Sequence, residues 1–445
     1  MPSRRTAVCV DVGSTYTKAA KIDLSGAELI SRAEVPTTSS SDVLEGLDAA
    51  VAAGGGGGPR NGGAAPRGGR RGALGPPAPP RASGGGLPAA APPGGGGDRL
   101  YVCSSAGGGL RLAVIGYERL VTAEAGHRVG LSAGAQVVHV AAGPMSGPDL
   151  ARLRAARPDV LLLAGGTDGG DGEVLLHNAR RLAAARIRLP VVLAGNAAVR
   201  DEAEALLAGR GVPVTATANV LPRIGVLDPL PARAAIREVF LRHVIGGKRL
   251  SKGRRFASLV RAATPDAVLA GVEALADLTG YGILVVDVGG ATTDVYSALV
   301  PDAEAETGPR RDVAGTLWRA RTVEGDLGVA VGADGTRAAA VAEKLPPPGD
   351  TPELAAAAAV VALRRHARGR PGLRDVRLVI GSGGVLRHGG GARVLDAVLA
   401  DVGGGWAPPE NARALVDQQY VLAAAGLLAA EHPDVAARLL GNSIR

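Results

Sequence analysis

The chain is short of aromatic side chains, cysteine and lysine, and each shortage excludes something. Aromatic residues fill only 2% of its 445 positions, so its core must be built from Ala, Val, Leu and Ile. Two cysteines, Cys9 and Cys103, have no spacing that suggests a disulfide framework or a metal site. Cys9 falls inside an apolar run, where a thiol most often serves as a small core residue. No stretch approaches the roughly 18 uninterrupted apolar residues of a membrane-spanning helix, which predicts no membrane partner. No Gly-x-x-x-x-Gly-Lys-Ser/Thr segment occurs, which excludes a P-loop. Only five of the 50 basic residues are lysine, and the arginines are scattered among acidic residues with no aromatic-interleaved basic run. The net charge of +8 and pI near 9.9 therefore predict a surface disposed to acidic partners, with no nucleic acid. The opening Met-Pro-Ser-Arg-Arg runs straight into a strand-like segment, which predicts no signal sequence and a cytoplasmic location. Glycine (67) and proline (30) are abundant, but with Ala and Arg they look like a coding bias, so their number alone carries little.

What is present is a repeated pattern. Val-Cys-Val-Asp11-Val-Gly13-Ser14-Thr15 recurs 276 residues later as Val-Val-Asp287-Val-Gly289-Gly290-Ala291-Thr292-Thr293-Asp294. In each copy an apolar run ends on an aspartate, small residues turn the chain, and a strand-like run returns. That predicts a buried strand, a tight turn and an antiparallel partner. Glycine permits the turn dihedrals and a close backbone approach. The turn N–H groups and hydroxyls then suit phosphate oxygens, and each strand-end carboxylate can hold a metal ion through water. A third segment, Leu378-Val-Ile-Gly381-Ser382-Gly383-Gly384, reads as a strand and a glycine turn flat enough for a nucleoside, before a helix beginning near Ala392. In order and character the three resemble the phosphate-1, phosphate-2 and adenosine motifs of the actin, sugar-kinase and Hsp70 ATPase superfamily. Residues 264–277, with Gly271, resemble its first connecting helix, and 417–428, with Gly426, its second.

The expected fold class is α/β, an actin-like ATPase fold with two lobes around a nucleotide cleft and an α/β insertion between the phosphate motifs. Residues 1–265 form the expected first lobe and 266–445 the second, a division the length allows. Residues 54–97 are too rich in Gly, Pro and Arg to offset the entropy of ordering them, and are expected to be a disordered insertion. From 111 to about 245, strands and helices alternate as in a parallel sheet covered by helices. One loop there, 164–173 (Ala-Gly-Gly-Thr-Asp168-Gly-Gly-Asp171-Gly-Glu), follows a strand, where such sheets bind ligands. It reads either as a ligand or partner loop or as a glycine turn with Asp171 capping the next helix. Glu324 and Asp326, after the second phosphate motif, read equally as cleft carboxylates that place water or metal and as solvated loop acids.

Several stretches are more specific. Asp11 to Lys18, Cys103 to Leu110, Ala164 to Gly170 with His177-Asn178-Ala179, Ala194-Gly-Asn196, Thr322 to Gly328 and Asp417 to Leu428 resemble the MutL-type accessory family of methylaspartate (glutamate) mutase, which is unrelated to mismatch repair. The resemblance runs from residue 6 to about 440 except at 54–97. It implies an ATP-binding partner of the adenosylcobalamin-dependent mutase that reactivates or assembles the enzyme, with ATP and Mg²⁺ as cofactors and a homodimer left open. In that mechanism Gly13, Ser14, Thr15, Gly289, Gly290, Thr292 and Thr293 cradle phosphates. Asp11 and Asp287 orient hydrated magnesium, Asp294 or Glu324 positions the attacking water, and Gly381, Ser382, Gly383 and Gly384 hold the adenosine. Three rival readings remain open: a small-molecule kinase of the same fold, a dehydratase activator needing exposed cysteines, and a non-hydrolysing ATP-binding scaffold.

Overall fold

The computed structural model describes residues 5–13, 15–38, 41–55, 98–106, 110–118, 123, 125–126, 129–130, 133, 135–240, 242, 250–251, 255–300, 318–368, 373, 375–403, 406–407 and 411–444. Ser14 and residues 56–97 of the expected insertion lie outside them. Three five-stranded sheets carry the architecture.

The first sheet is ordered β10-β4-β1-β2-β3, from β1 (Thr6–Val12), β2 (Tyr16–Asp23), β3 (Glu28–Pro36), β4 (Arg99–Ser104) and β10 (Val260–Ala263). β1 runs antiparallel to β2 and parallel to β4; β2 pairs antiparallel with β3, and β4 parallel with β10. The second sheet is ordered β13-β12-β11-β14-β15, from β11 (Gly282–Val288), β12 (Thr293–Ala298), β13 (Arg319–Glu324), β14 (Val376–Ser382) and β15 (Arg413–Val416). Its senses repeat those of the first sheet pair by pair. The sequence repeat is thus a structural duplication, and the expected actin-like ATPase fold is borne out.

Between β4 and β10 lies the third sheet, in the order β6-β5-β7-β8-β9. Its strands are β5 (Arg111–Gly116), β6 (Gln136–Ala142), β7 (Val160–Leu163), β8 (Val191–Leu193) and β9 (Val214–Ala216), and every pairing is parallel. β7 and β8 are uniformly apolar and buried, as strands covered on both faces must be. With few aromatics, the cores are assembled from small and branched side chains.

The two duplicated sheets are joined by two helices. Thr264–Thr279 has Pro265 in its first turn and ends on Gly280, whose φ of 71° is the left-handed closure glycine permits. Val421–Ala429 packs against it, and the crossing is close. A β-carbon on Gly271 would lie 2.1 Å from the Leu422 carbonyl oxygen, and one on Gly426 would lie 1.8 Å from that of Ala267. The two glycines singled out in the sequence are therefore required for backbone contact. Ala7, Cys9, Tyr101, Val272, Val285 and Leu422 join both sheets and both helices in one core.

The helix after β3 spans Val43–Gly55 and takes in two glycines of the Gly-rich run. Gly54 is buried near the β-carbons of Ala19 and Ala33, and its carbonyl accepts from Ser31 Oγ, so packing holds a residue with weak helix propensity. Among the described residues no helix is long and apolar enough to cross a membrane.

Candidate nucleotide cleft

Both repeated motifs form hairpins in the same register. Val12 pairs with Thr17 and Asp11 with Lys18; Val288 pairs with Thr293 and Asp287 with Asp294. The first turn closes by Gly13 N–H donating to the Tyr16 carbonyl at 3.1 Å, the second by Gly289 N–H to the Thr292 carbonyl at 2.9 Å. A β-carbon on Gly13 would approach the Tyr16 oxygen to 2.6 Å, so that position excludes any larger residue. Thr15, Gly290 and Ala291 are exposed at the turn tips.

Asp11 is buried, at 6% exposure, yet its carboxylate is well served. Thr264 Oγ1 donates to Oδ1, Tyr420 Oη donates to Oδ2 at 3.1 Å, and Cys103 Sγ lies 3.7 Å from Oδ1. Burial first, and the Asp11 charge second, push the Cys103 thiol well above its usual range, so it stays protonated as a donor. Thr264 opens the first connecting helix and Tyr420 immediately precedes the second. One carboxylate thus ties β1 to both connecting segments. Tyr420 takes a left-handed φ of 57°, which only a determined surrounding imposes on a non-glycine residue.

Asp287 is half-buried, and its pKa is pushed up to about 6 by burial first and then by Asp294 across the hairpin. Lys18, and a hydrogen bond from Ser382, pull the other way, and the Asp11 charge is also felt. Lys18 faces Asp11 in the register and spreads its charge over both hairpins. Burial likewise raises Asp294, against the pull of Arg321. Arg321, on β13 and 4% exposed, donates Nε to Asp294 Oδ1 at 2.8 Å. Glu324 ends β13 opposite Thr293 and accepts from Arg365 at 2.7 Å; Arg365 also grips Asp326 at 2.7 Å. Neither acid of that turn is therefore a simple solvated loop residue. Thr293 is fully buried and donates to the Leu327 carbonyl at 3.0 Å, while Ala330 N–H supports the second turn through the Gly290 carbonyl at 2.8 Å.

The third motif lies against the second hairpin. Ser382 pairs with Asp287 in the parallel β11–β14 register. Gly383 has a φ of 98°, and a β-carbon there would come within 2.2 Å of the Val288 carbonyl. Gly381 is packed under Leu386, while Gly384 faces open space. The following helix is Gly391–Ala400, one residue before its expected start.

Apart from these motifs, the 164–173 loop follows β7 at the carboxyl end of the third sheet. Asp168 accepts from Ala197 N–H and Asn219 Nδ2, both at 2.9 Å. Buried Asn196 accepts from Gly169 N–H at 3.0 Å and donates to the Gly170 carbonyl at 2.8 Å. Asp171 accepts from the Tyr117 hydroxyl and from Glu173 N–H, both at 2.8 Å. The loop is held in shape by its own neighbours.

Sequence reasoning assigned no role to Lys18, Thr264, Tyr420, Arg321 or Arg365. Hairpin counting alone would have set Lys18 opposite Asp11; the others reach the site only through tertiary packing.

The MutL protein family model matches residues 7–358 and 350–444. Protein MutL of Clostridium tetanomorphum is 30% identical over 482 residues, covering 97% of each chain. Among solved structures, nucleotide-free acetone carboxylase superposes at a TM-score of 0.36 with 15% identity, over 96% of this chain and 70% of that one. A PilM–PilN type IV pilus biogenesis complex gives 0.26 and 15%, over 98% of both. Such superpositions define no fold; the repeated strand order does. Matched along nearly its whole length by the family model and by a full-length relative, the chain belongs to the MutL family.

Proposed function

We propose that this protein is an ATP-binding and ATP-hydrolysing accessory factor of the adenosylcobalamin-dependent glutamate (methylaspartate) mutase, working beside it in the cytoplasm. The observation that carries the reading is the pair of same-register hairpins, each with a strand-end aspartate, the first of them bonded to the starts of both connecting helices. The cleft suits a metal–nucleotide pair. Asp287 is a carboxylate whose ionisation burial resists, so it favours a nearby cation, while exposed glycine turns offer backbone donors to phosphate. Bound magnesium would neutralise phosphate charge and align the reacting oxygens.

The chain's own residues would divide the work. Gly13–Thr15 and Gly289–Thr292 cradle phosphates while buried Thr293 braces the second turn through the Leu327 carbonyl, Asp11 and Asp287 orient metal-bound water, and the exposed end of the turn Gly381–Gly384 receives the nucleoside over buried Gly381 and Ser382. Both arginine contacts of Asp294 go to Oδ1 and that of Glu324 to Oε2, which leaves Oδ2 and Oε1 to accept from water. Because Asp11 bonds Thr264 and Tyr420, a change at the phosphate turns would reach the start of both connecting helices. Mutase exchange of damaged cobalamin then requires that the mutase prefer one lobe arrangement. A hundredfold preference corresponds to about 2.7 kcal/mol of coupling. The 164–173 loop is the proposed mutase contact.

The test is reactivation. Mutase blocked with hydroxocobalamin should regain turnover when given this protein, ATP, Mg²⁺ and fresh adenosylcobalamin, and adding mutase should shift the apparent nucleotide affinity. Absence of both binding and recovery in every nucleotide state would sink the reading.

A further inference from the structure

Beside the candidate nucleotide cleft lies a cavity of about 260 Å³, bounded by β2, β3, the turn after β14 and the second connecting helix. Strand alternation explains one wall: the registers Asp11↔Lys18, Lys18↔Glu34 and Ala20↔Arg32 set these side chains on one face of the sheet. Ala423, Ala424 and Leu427 form an apolar floor. No residue of either hairpin turn, and neither Asp287 nor the Gly381–Gly384 turn, lines it, while Cys9, Val10 and Asp11 of β1 do, so the two sites have the Asp11 carboxylate as a common wall.

The opposite wall carries Arg387, whose side chain is 10% exposed. Its Nε is buried with no hydrogen-bond partner among the described residues, and its Nη2 forms an ion pair with the Glu34 carboxylate at 3.6 Å, outside hydrogen-bond range. A guanidinium with an unsatisfied buried donor is an expensive arrangement, because desolvation is not repaid by contact. Lys18 Nζ lies 3.7 Å from the centroid of the Tyr420 ring, and the Arg387 guanidinium 5.4 Å from the same centroid, so two cations share one aromatic ring. Arg32 at the mouth spends one N–H on the Gln418 carbonyl at 2.7 Å and has others to give. Against these three cations stand Asp11, already served by Thr264 and Tyr420, and exposed Glu34; outside the lining, Asp287 feels the Lys18 charge, and Asp417, which accepts from the Val421 and Leu422 N–H groups, feels that of Arg387.

The geometry points to a second ligand site here, for a compact organic anion that presents a carboxylate or phosphate group to Arg387, Lys18 and Arg32 and rests an apolar body on the alanine floor. Lys18 and Arg32 belong to the first sheet, and Arg387 and Tyr420 follow strands of the second. An occupant therefore bridges the two halves and favours the arrangement in which they stand together. The inference rests on the nucleotide reading only in treating the two sites as separate.

Calorimetric titration of the full chain with inorganic phosphate and with succinate, each with and without saturating ATP and Mg²⁺, tests it. At least one probe should bind and should persist when ATP is present; which one binds assigns the anionic group. Arg387→Gln and Arg32→Gln should each weaken that probe tenfold or more while changing ATP affinity less than threefold. Arg32 is exposed, so its variant tests the site even if Arg387→Gln fails to fold. Binding of neither probe, full displacement by ATP, or parent-like probe binding by Arg32→Gln overturns the proposal. A chain that binds a probe but not ATP leaves it standing and sinks the nucleotide reading instead.

Discussion

In the first hairpin the residue opposite the strand-end aspartate is Lys18, and in the second it is Asp294, although both pairs occupy the same register. Asp11 therefore has a cation across the hairpin and hydroxyl donors behind it. Asp287 has another carboxylate across the hairpin, and that carboxylate is balanced one strand further out by Arg321. Duplicated backbone has been given opposite electrostatics, the first hairpin carrying a cation opposite its aspartate and the second a further carboxylate, so that the second is the one inclined to an outside cation.

The comparison breaks most visibly at Asp294. Asp294→Ala leaves the Arg321 guanidinium buried without its carboxylate and should cost about 3–5 kcal/mol of stability in urea denaturation. Lys18→Ala, at the equivalent position, removes a half-buried cation held over a ring and should cost about 1 kcal/mol. Equal losses would mean that the two hairpins are not wired differently.

Next come the aspartates themselves. Asp11→Ala and Asp287→Ala should each lower magnesium-dependent ATP hydrolysis by about 10²–10³-fold with the fold retained. Their effects on stability should diverge. Asp11→Ala strands the hydroxyls of buried Thr264 and half-buried Tyr420, at about 1–3 kcal/mol. Asp287→Ala removes a carboxylate whose charge the protein resists, and the nucleotide-free protein should keep or gain stability. Parent-rate hydrolysis by both variants would remove the clamp.

Much of this was legible in the sequence, because a glycine turn between two strand patterns fixes register locally. The hairpins and the parallel third sheet follow from spacing, and the connecting helices with Gly271 and Gly426 from the resemblance to the superfamily. The wiring does not. Arg321 and Arg365 reach Asp294 and Glu324 only because β13 folds back beside β12, and one-dimensional reading left Glu324 evenly divided between cleft and solvent. Tyr420 meets Asp11 across 409 positions of chain, a contact made by the helix crossing and unmarked in either segment. Gly54 joins a helix because the sheet beneath it, and not its own propensity, decides.

A smaller effect is written in the pH dependence of the nucleotide-free protein. Asp287 has a folded pKa near 6, above its ordinary 3.8, so between those values the folded state holds the proton more tightly than the unfolded one. Its contribution to stability is therefore greatest below the ordinary value and is lost as pH rises through about 6, by roughly 3 kcal/mol at most. The parent minus Asp287→Asn stability difference, followed from pH 3.8 to above 6, should fall along that curve. A flat difference would show that burial does not raise Asp287.

The smallest effect separates the hairpins at their next neighbours. Parallel pairing sets Cys103 opposite Asp11 and Ser382 opposite Asp287. The thiol is a weak donor at 3.7 Å, and Asp11 has stronger partners. The Ser382 hydroxyl, by contrast, bonds Asp287 and favours its ionised form. Ser382→Ala should accordingly move the midpoint of the Asp287 difference curve to higher pH by less than about one unit, a differential interaction under about 1.4 kcal/mol. Cys103→Ala should leave that curve in place, because the thiol bonds the other aspartate. A downward shift in the Ser382 variant would mean that the hydroxyl supports the protonated acid, and that the cleft's second carboxylate is organised for donating a proton instead of receiving a cation.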